Sequence, residues 1–467
     1  MNQHNLTERA EKALRIAEPY GKAEAYVATN ELLSVRMANT RVIESKAIYD
    51  TGIGVRVLSG DGIGFSSTTD LSDHGLTRAV EEAAAMARHR RIGFSYDLPQ
   101  PRKARPAKIH DQATAGLLDD VESVTEYAHR LMDASSGASP RVAENSGILN
   151  ILRFNKVVLN SNGVDVDERG SGWSAFLATT AQGGSEQREG MVTGSTVKVS
   201  DFDPERMGRE SAEMAVNSLG GNKIDEGDYE LILLPSAAQC IVTELAECTN
   251  PPTMDGSTPL LRDRLGEQVA SECFTLRINP RRTGFSLLGA YDDEGVPAKE
   301  LTLFERGVFK ASPRDSWYSQ RDGVEGTGHG FRSVSMLTGG TAYHGKMYHV
   351  EPSPRAACLE MEPGGSTVDE MVESTRRGLM VGVVWYSRIM LPTRGDYTAI
   401  MRMGTMRVED GEVTGPTQKF RLADNILDLA RNIEMVGDPE PLSHWHMPYG
   451  SIAPVKVAKA HCMPYAD

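Results

Sequence analysis

The chain has 467 residues, more than one ordinary hydrophobic core accommodates, so length alone predicts two or three domains. Hydrophobic residues make up 40% and charged residues 24%, which excludes a disordered chain. With 64 acidic against 50 basic residues the net charge is −14, which argues against nucleic-acid phosphate binding as the main function. Cysteines stand at 240, 248, 273, 358 and 462, an odd and scattered set that forms no disulfide framework and suits a reducing cytoplasm. The amino-terminal residues lack the apolar stretch of a secretory signal. The longest apolar run, near Leu379–Trp385, falls far short of the roughly 20 residues of a membrane span, so neither secretion nor insertion is expected.

In chain order, Thr7 is a plausible helix cap, and Leu6, Ala10, Ala13, Leu14 and Ala17 recur at helical spacing up to Pro19. From Ala23 to Ser67 short β-prone pieces separated by Asn and Gly turns predict an antiparallel meander. A helix over Leu76–Arg90 follows, ending in Arg and His where cations suit the negative end of the dipole. Residues 98–111 hold three prolines and four basic residues with no apolar period and read as a connector. The order then recurs: a helix over Leu117–Ala134, β-prone pieces from Val142 to Lys198, and a helix over Pro204–Leu219. Two helix-plus-meander units of about 100 residues predict a duplicated α/β half. Gly220-Gly221-Asn222 marks a change of texture, dividing the chain into 1–222 and 223–467.

Beyond it, Tyr229–Leu234 predicts a strand and Pro235 opens a helix at a position that tolerates proline. Nearly everything after residue 248 is β-prone with frequent glycine, interrupted by expected helices at Thr367–Arg377 and Leu422–Glu434. The expected fold is therefore α+β: duplicated helix-plus-antiparallel-meander units, then a carboxy-terminal antiparallel, β-rich, barrel-like domain. On the Pro235 helix, Ala238, Ile241, Val242 and Leu245 form an apolar stripe, which turns Cys240, Glu244 and Glu247 toward a solvated face. Cys240, Glu244 and Cys248 also recur every four residues, so a metal site built from them is the alternative.

Other constellations have bland readings. Asp292-Asp293-Glu294 could hold a hard cation, but the following Gly-Val-Pro predicts a turn with acidic flanks. His344 and His349, with His329, His444 and His446, could gather a metal, although Tyr- and His-rich loops commonly form polar binding surface. Gly326-x-Gly-x-Gly lacks the context of a dinucleotide loop, and neither a phosphate-binding loop nor a Gly-x-Ser-x-Gly nucleophile elbow occurs.

Several segments in order resemble one family. They are Pro235–Cys248, Asp292-Asp-Glu-Gly295 with the hairpin after it, Gly326-Thr-Gly-His-Gly-Phe-Arg332, Glu362-Pro-Gly-Gly365, Arg377-Gly-Leu-Met-Val381, Val408-Glu-Asp-Gly-Glu-Val413 and Asn425-Ile-Leu-Asp-Leu429. Together they resemble the TldD/PmbA family, peptidases once described as modulators of DNA gyrase. In the active TldD branch the corresponding helix carries His-Glu-x-x-x-His, two zinc ligands and a general base. The resemblance places Gln239, Cys240 and Glu244 there, and the family's further cysteine ligand has no counterpart in its glycine-rich context. An amide is a poor zinc ligand and a thiol does not replace the carboxylate base. The resemblance therefore implies a PmbA/TldE-like subunit with no catalytic residue and no cofactor of its own. It would partner a zinc-bearing TldD-like peptidase that cleaves extended peptides, with His329 and Arg332 lining the peptide groove; Arg332 paired to Glu325 is the structural alternative. Two other readings stand beside it: a free-standing homodimeric peptide-binding or scaffold protein, and a metalloenzyme with rewired ligands.

Overall fold

The computed structural model describes residues 3–280, 289–332, 347–444 and 447–465. Its amino-terminal half contains one unit built twice. Helix α1 (Gln3–Ala17) leads into strands β1 (Lys22–Ala38), β2 (Arg41–Ser59) and β3 (Gly62–Thr68), and α2 (Asp73–Ala87) follows. After the connector and the short α3 (Gln112–Gly116) come α4 (Val121–Ala138), β4 (Val142–Asn160), β5 (Asp165–Gly183), β6 (Glu186–Thr196) and α5 (Pro204–Asn217). The six strands form one antiparallel half-barrel in the order β3-β2-β1-β4-β5-β6. That order reads the same from both ends of the β1/β4 pair, which is antiparallel, so an approximate twofold axis relates the copies.

The expected helices are present with shifted ends. α1 begins at Gln3, so Thr7 lies inside it and caps nothing. Asp120 accepts from the Ser123 amide and starts α4 at Val121, while 117–119 forms a single 3₁₀ turn. α2 is capped by Ser72 and α5 by Asp203, with Pro204 at its first position.

Duplication also shows in packing. On β3, a Cβ at Gly64 would overlap the Ala83 carbonyl oxygen of α2 and lie 2.6 Å from the Ala87 nitrogen. On β6, a Cβ at Gly190 would overlap the Ser211 carbonyl oxygen of α5 and lie 2.6 Å from the Ala215 nitrogen. The same close approach of strand to helix is solved by glycine in both copies.

The carboxy-terminal half is a sandwich wound around one helix. Its elements are β7 (Gly227–Leu233), α6 (Pro235–Glu247), α7 (Pro251–Asp255), β8 (Leu276–Ile278), β9 (Leu301–Glu305), β10 (Val308–Phe309), α8 (Ser316–Asp322), β11 (Gly330–Phe331) and β12 (Ser353–Pro354). There follow β13 (Leu359–Met361), α9 (Val368–Glu373), β14 (Arg377–Val381), β15 (Val383–Leu391), β16 (Asp396–Met403), β17 (Met406–Glu409), β18 (Glu412–Pro416), β19 (Phe420–Asn425) and α10 (Ile426–Arg431). The last are β20 (Ile433–Val436), β21 (Glu440–His444), β22 (Met447–Ile452) and β23 (Val455–Pro464). A nine-stranded sheet runs β15-β16-β19-β23-β7-β14-β17-β18 with β20 beside β23, and a six-stranded sheet runs β10-β9-β8-β13-β22-β21. Two pairings, β7/β14 and β13/β22, are parallel, a departure from the expected antiparallel pattern. Leu422, expected to open a helix, lies in β19, and only Ile426–Arg431 is helical. No helix among the described residues is long and apolar enough to cross a membrane.

The central strands of the half-barrel are covered on both faces. Ala23, Ala25 and Val27 of β1 pack under α1 and α2, whereas the alternate residues Tyr26 and Ala28 pack with Val158, Val164, Val166 and Tyr348. Glu24, on that second face, is fully buried and is linked through Arg56 to the acidic turn of the other half. Arg56 Nη2 bonds Glu24 Oε2 at 2.6 Å and Glu294 Oε1 at 2.7 Å. Lys156 Nζ reaches Asp293 Oδ1 at 3.1 Å, Glu168 Oε2 at 3.2 Å and the Tyr291 carbonyl at 2.8 Å. Arg332 Nη2 closes the network on Glu24 Oε1 at 2.6 Å.

Gly64→Ala and Gly190→Ala should each destabilise the chain by about 1–3 kcal/mol, with matching losses, because each forces backbone apart at equivalent places; urea unfolding measures both. Arg56→Met should cost about 3–5 kcal/mol, since it leaves Glu294 buried without its cation and Glu24 with Arg332 alone. Arg206→Met, which breaks only a surface pair with Glu210, should cost under about 1 kcal/mol.

Candidate functional site

Helix α6 occupies the place the sequence singled out, but its surroundings differ from the expectation. β7 feeds into Pro235, and α6 is covered by β15 of the larger sheet, β21 and β22 of the smaller one, and α10. The sequence showed one apolar stripe and implied a solvated opposite face. Instead two sheets cover two sides: Gln239 and Cys248 are each 1% exposed and Cys240 6%. Beyond its first turn, only Glu244 and Glu247 of the helix keep partial contact with solvent.

Burial sets the chemistry of this helix. The Cys240 thiol is pushed up to about 12 by burial and then by the Glu244 carboxylate. Glu244 is itself pushed up to about 7, by burial and by Glu247. Burial raises Glu247 as well, against the pull of Arg355, and its Oε2 accepts from Asn250 Nδ2 at 2.6 Å. Cys248 is raised by burial and by both glutamates.

A hydrolytic zinc requires ligands that are neutral imidazoles or anions. Here an amide, two thiols held in the protonated form and a carboxyl with a raised affinity for its proton face inward. Among the described residues no three His, Cys, Asp or Glu side chains come together as a metal site. The donor set of α6 does not fit a hydrolytic zinc, and the stripe of Cys240, Glu244 and Cys248 does not form the alternative site.

The acidic turn is also different from its expected form. Asp292, Asp293 and Glu294 are 0%, 2% and 0% exposed, so their flanks are internal. The turn itself is as expected: Asp292 Oδ1 accepts from the Glu294 and Val296 amides at 3.0 and 2.9 Å, and Gly295 adopts φ 76°. Asp292 Oδ2 and Asp293 Oδ2 then accept from the Gly330 and Arg332 amides at 3.0 and 2.8 Å, which docks the loop holding His329 and Arg332 onto the turn.

His329 and Arg332 are brought together, but in the interior. His329 is fully buried, its Nδ1 lies 2.8 Å from Thr327 Oγ1, and burial pushes its pKa down to about 3, leaving the ring neutral. Arg332 is 2% exposed, bonded to Glu24 and to the Val350 carbonyl, with its guanidinium 4.7 Å from the Tyr26 ring centre. Neither side chain lines an open groove in this structure. Glu325, the other partner considered for Arg332, pairs with Lys299 instead. Of the histidines considered as a metal group, His344 and His446 lie outside the described residues, and His349 is exposed. Sequence reasoning missed Glu24, Arg56 and Lys156 altogether. Their only signal was a charge set among the alternating residues of otherwise apolar strands, which marks a second buried face.

The chain matches three family domains in succession: PmbA/TldA metallopeptidase domain 1 over residues 23–87, the central domain over 116–219 and the C-terminal domain over 226–459. It is 24% identical over 454 residues to the metalloprotease PmbA homolog of Haemophilus influenzae, covering 93% of this chain and 92% of that one. A metalloprotease of Methanothermobacter thermautotrophicus is 23% identical over 426 residues, covering 89% and 87%. Among solved structures, TldE from Thermococcus kodakarensis shares the fold with a TM-score of 0.83 at 19% identity, over 97% of this chain and 99% of that one. A Thermotoga maritima protein described as a candidate modulator of a DNA gyrase does so with a TM-score of 0.84 at 20% identity, over 98% and 99%. With all three domains present in order, the chain belongs to the PmbA/TldA metallopeptidase family, also called TldD/PmbA.

Proposed function

We propose that this chain is a PmbA/TldE-like subunit that carries no zinc and works with a TldD-like zinc peptidase on unfolded or extended peptides. What supports this reading is the donor set of α6: Gln239 and Cys240 are buried and Glu244 partly so, with the thiol and the carboxyl raised toward their protonated forms, and the family resemblance sets these three at the positions of the active branch's His-Glu-x-x-x-His. The peptidase chemistry would then reside in the partner. A partner surface is suggested by β15, which pairs among described strands only with β16 and exposes Trp385, Tyr386, Met390 and Leu391 at 37%, 40%, 47% and 48%. An obligate pair of this kind buries on the order of 2,000 Å² or more.

The purified chain should contain less than stoichiometric zinc by elemental analysis and hydrolyse no peptide alone. Added to a TldD-like chain bearing His-Glu-x-x-x-His, it should form a stable pair in light scattering and raise cleavage of an unstructured peptide. One tightly held zinc per chain, lost on Cys240→Ala or Cys248→Ala, would overturn this reading, as would a monomer indifferent to the TldD-like chain.

The raised Glu244 gives a pH signature. Its folded-state value near 7, above the ordinary 4.5, means that its stabilising contribution is complete below pH 4.5 and lost as pH rises through 7. Glu244→Gln should therefore match the wild type near pH 4.5 and exceed it at pH 8, by about 3 kcal/mol. Unfolding midpoints across that range check the sign.

A further inference from the structure

The nine-stranded sheet ends at β15, and among the described residues no backbone bond from another element reaches the outer edge of that strand. Irregularities lie between Val383 and Tyr386 and again between Ile389 and Leu391, so Tyr386–Ile389 is the stretch in regular register, opposite Tyr397–Ile400 of β16. An edge of this kind offers N–H and C=O groups to an added strand.

The face beside that edge carries a charge opposite to that of the chain. Strand registers set Tyr386 of β15, Ile400 of β16, Arg421 of β19 and Met463 of β23 in one row across four strands, with Arg388 two residues along β15. Ala399, Met401 and Leu422 point into the core, so by alternation this row lies on the outer face. Neither arginine of the face has a carboxylate among the described residues: Arg388 reaches the Tyr386 ring at 5.6 Å and Met390 Sδ at 2.8 Å, and Arg421 lies 5.7 Å from the Tyr465 ring. Arg402, on the same strand pair, shows the contrast, since Glu189 holds it at 2.7 Å. Two unmatched cations on a protein of net charge −14 stand next to Met390 and Leu391, each nearly half exposed. Arginine, tyrosine and methionine beside a free strand edge are the composition of a protein interface.

We propose that this edge takes an added strand from the TldD-like partner, and that the strand brings a carboxylate to Arg388 between apolar residues that cover Met390 and Leu391. A second copy of the chain does not fit that description. A symmetric dimer through this edge pairs β15 with itself, and Val383–Leu391 contains no Asp or Glu, so the two Arg388 side chains would approach without a counter-charge. A nucleic acid would match the arginines but leave the strand edge and the apolar side chains unsatisfied. This rests on the proposed pairing with a TldD-like chain and adds which strand is shared and what the partner's strand supplies. Because β15 packs on α6, the shared sheet would set the helix with the degenerate zinc position directly behind the junction.

The experiment titrates the full chain with the TldD-like chain, follows binding by fluorescence anisotropy, and then measures amide exchange in the pair. Arg388→Glu and Met390→Asp should each weaken binding at least about tenfold, whereas Arg306→Glu, on an exposed pair of the smaller sheet, should stay within about twofold. Both residues are exposed, and unchanged urea midpoints separate lost binding from lost folding. Exchange over Tyr386–Ile389 should slow in the pair. Reversing to lysine the carboxylate of the partner strand that gains protection should restore binding to Arg388→Glu. Full-strength pairing by both variants, unaltered exchange over Tyr386–Ile389, a homodimer of this chain abolished by Arg388→Glu, or an oligonucleotide complex abolished by it would overturn the assignment. Absence of any pair would overturn the subunit reading as well, whereas a pair indifferent to β15 would leave that reading standing and remove only this one.

Discussion

The two halves of this protein are joined by neutralisation of one buried acidic turn. Asp292, Asp293 and Glu294 sit where water cannot solvate them, so their charges must be met by protein. Arg56 comes from β2 and Lys156 from β4, and the loop that the turn anchors adds the Arg332 backbone amide on Asp293. Each cation also holds an acid from the half-barrel or its own neighbourhood: Arg56 and Arg332 share Glu24, and Lys156 holds Glu168. Carboxyls still outnumber cations, and the structure compensates by protonation. Asp315, beside Glu294, is pushed up to about 8 by burial and then by that glutamate. A network of this kind contributes less to stability than its bond count implies, yet it strongly penalises any other docking of the two halves.

The long strands of the half-barrel exist to serve this joint. A strand of 17 to 19 residues is far longer than the usual ~5–6, and in β1, β2 and β4 the excess length lets one ribbon carry two cores. One face holds α1 and α2 near one end, and α4 near the other. The reverse face presents Glu24, Tyr26, Arg56 and Lys156 to the carboxy-terminal half. The twofold relation of the copies places β1 beside β4, which is what brings Glu24 and Lys156 onto neighbouring strands.

Helix α6 shows the same principle applied to a single element. A helix covered from two sides tolerates polar groups only when they are neutral or bonded. Cys240, Gln239 and a glutamate with raised affinity for its proton satisfy that condition, whereas two imidazoles and a carboxylate without a metal would not. The helix is thereby part of the carboxy-terminal core: its Ile241 and Leu245 belong to one buried cluster with Tyr397.

Local order was legible in the sequence. Helical spacing of Leu6, Ala10, Ala13 and Ala17, the proline that opens the helix at Pro235, and the repeated helix-then-meander texture depend on neighbours along the chain, so they identified the duplicated half and the helices. Family segments were legible because turns such as Asp292–Gly295 are written in a few adjacent residues. What lay beyond reach was decided by residues far apart. The second sheet that buries Cys240 arrives from β21 and β22, some two hundred residues later, and periodicity on one helix cannot report a second covering surface. Likewise Arg332 appeared free for a peptide because Glu24 stands 308 positions away. The acidic turn looked solvated for the same reason: its cations are supplied by strands of the other half, and only the tertiary fold brings them within bonding distance.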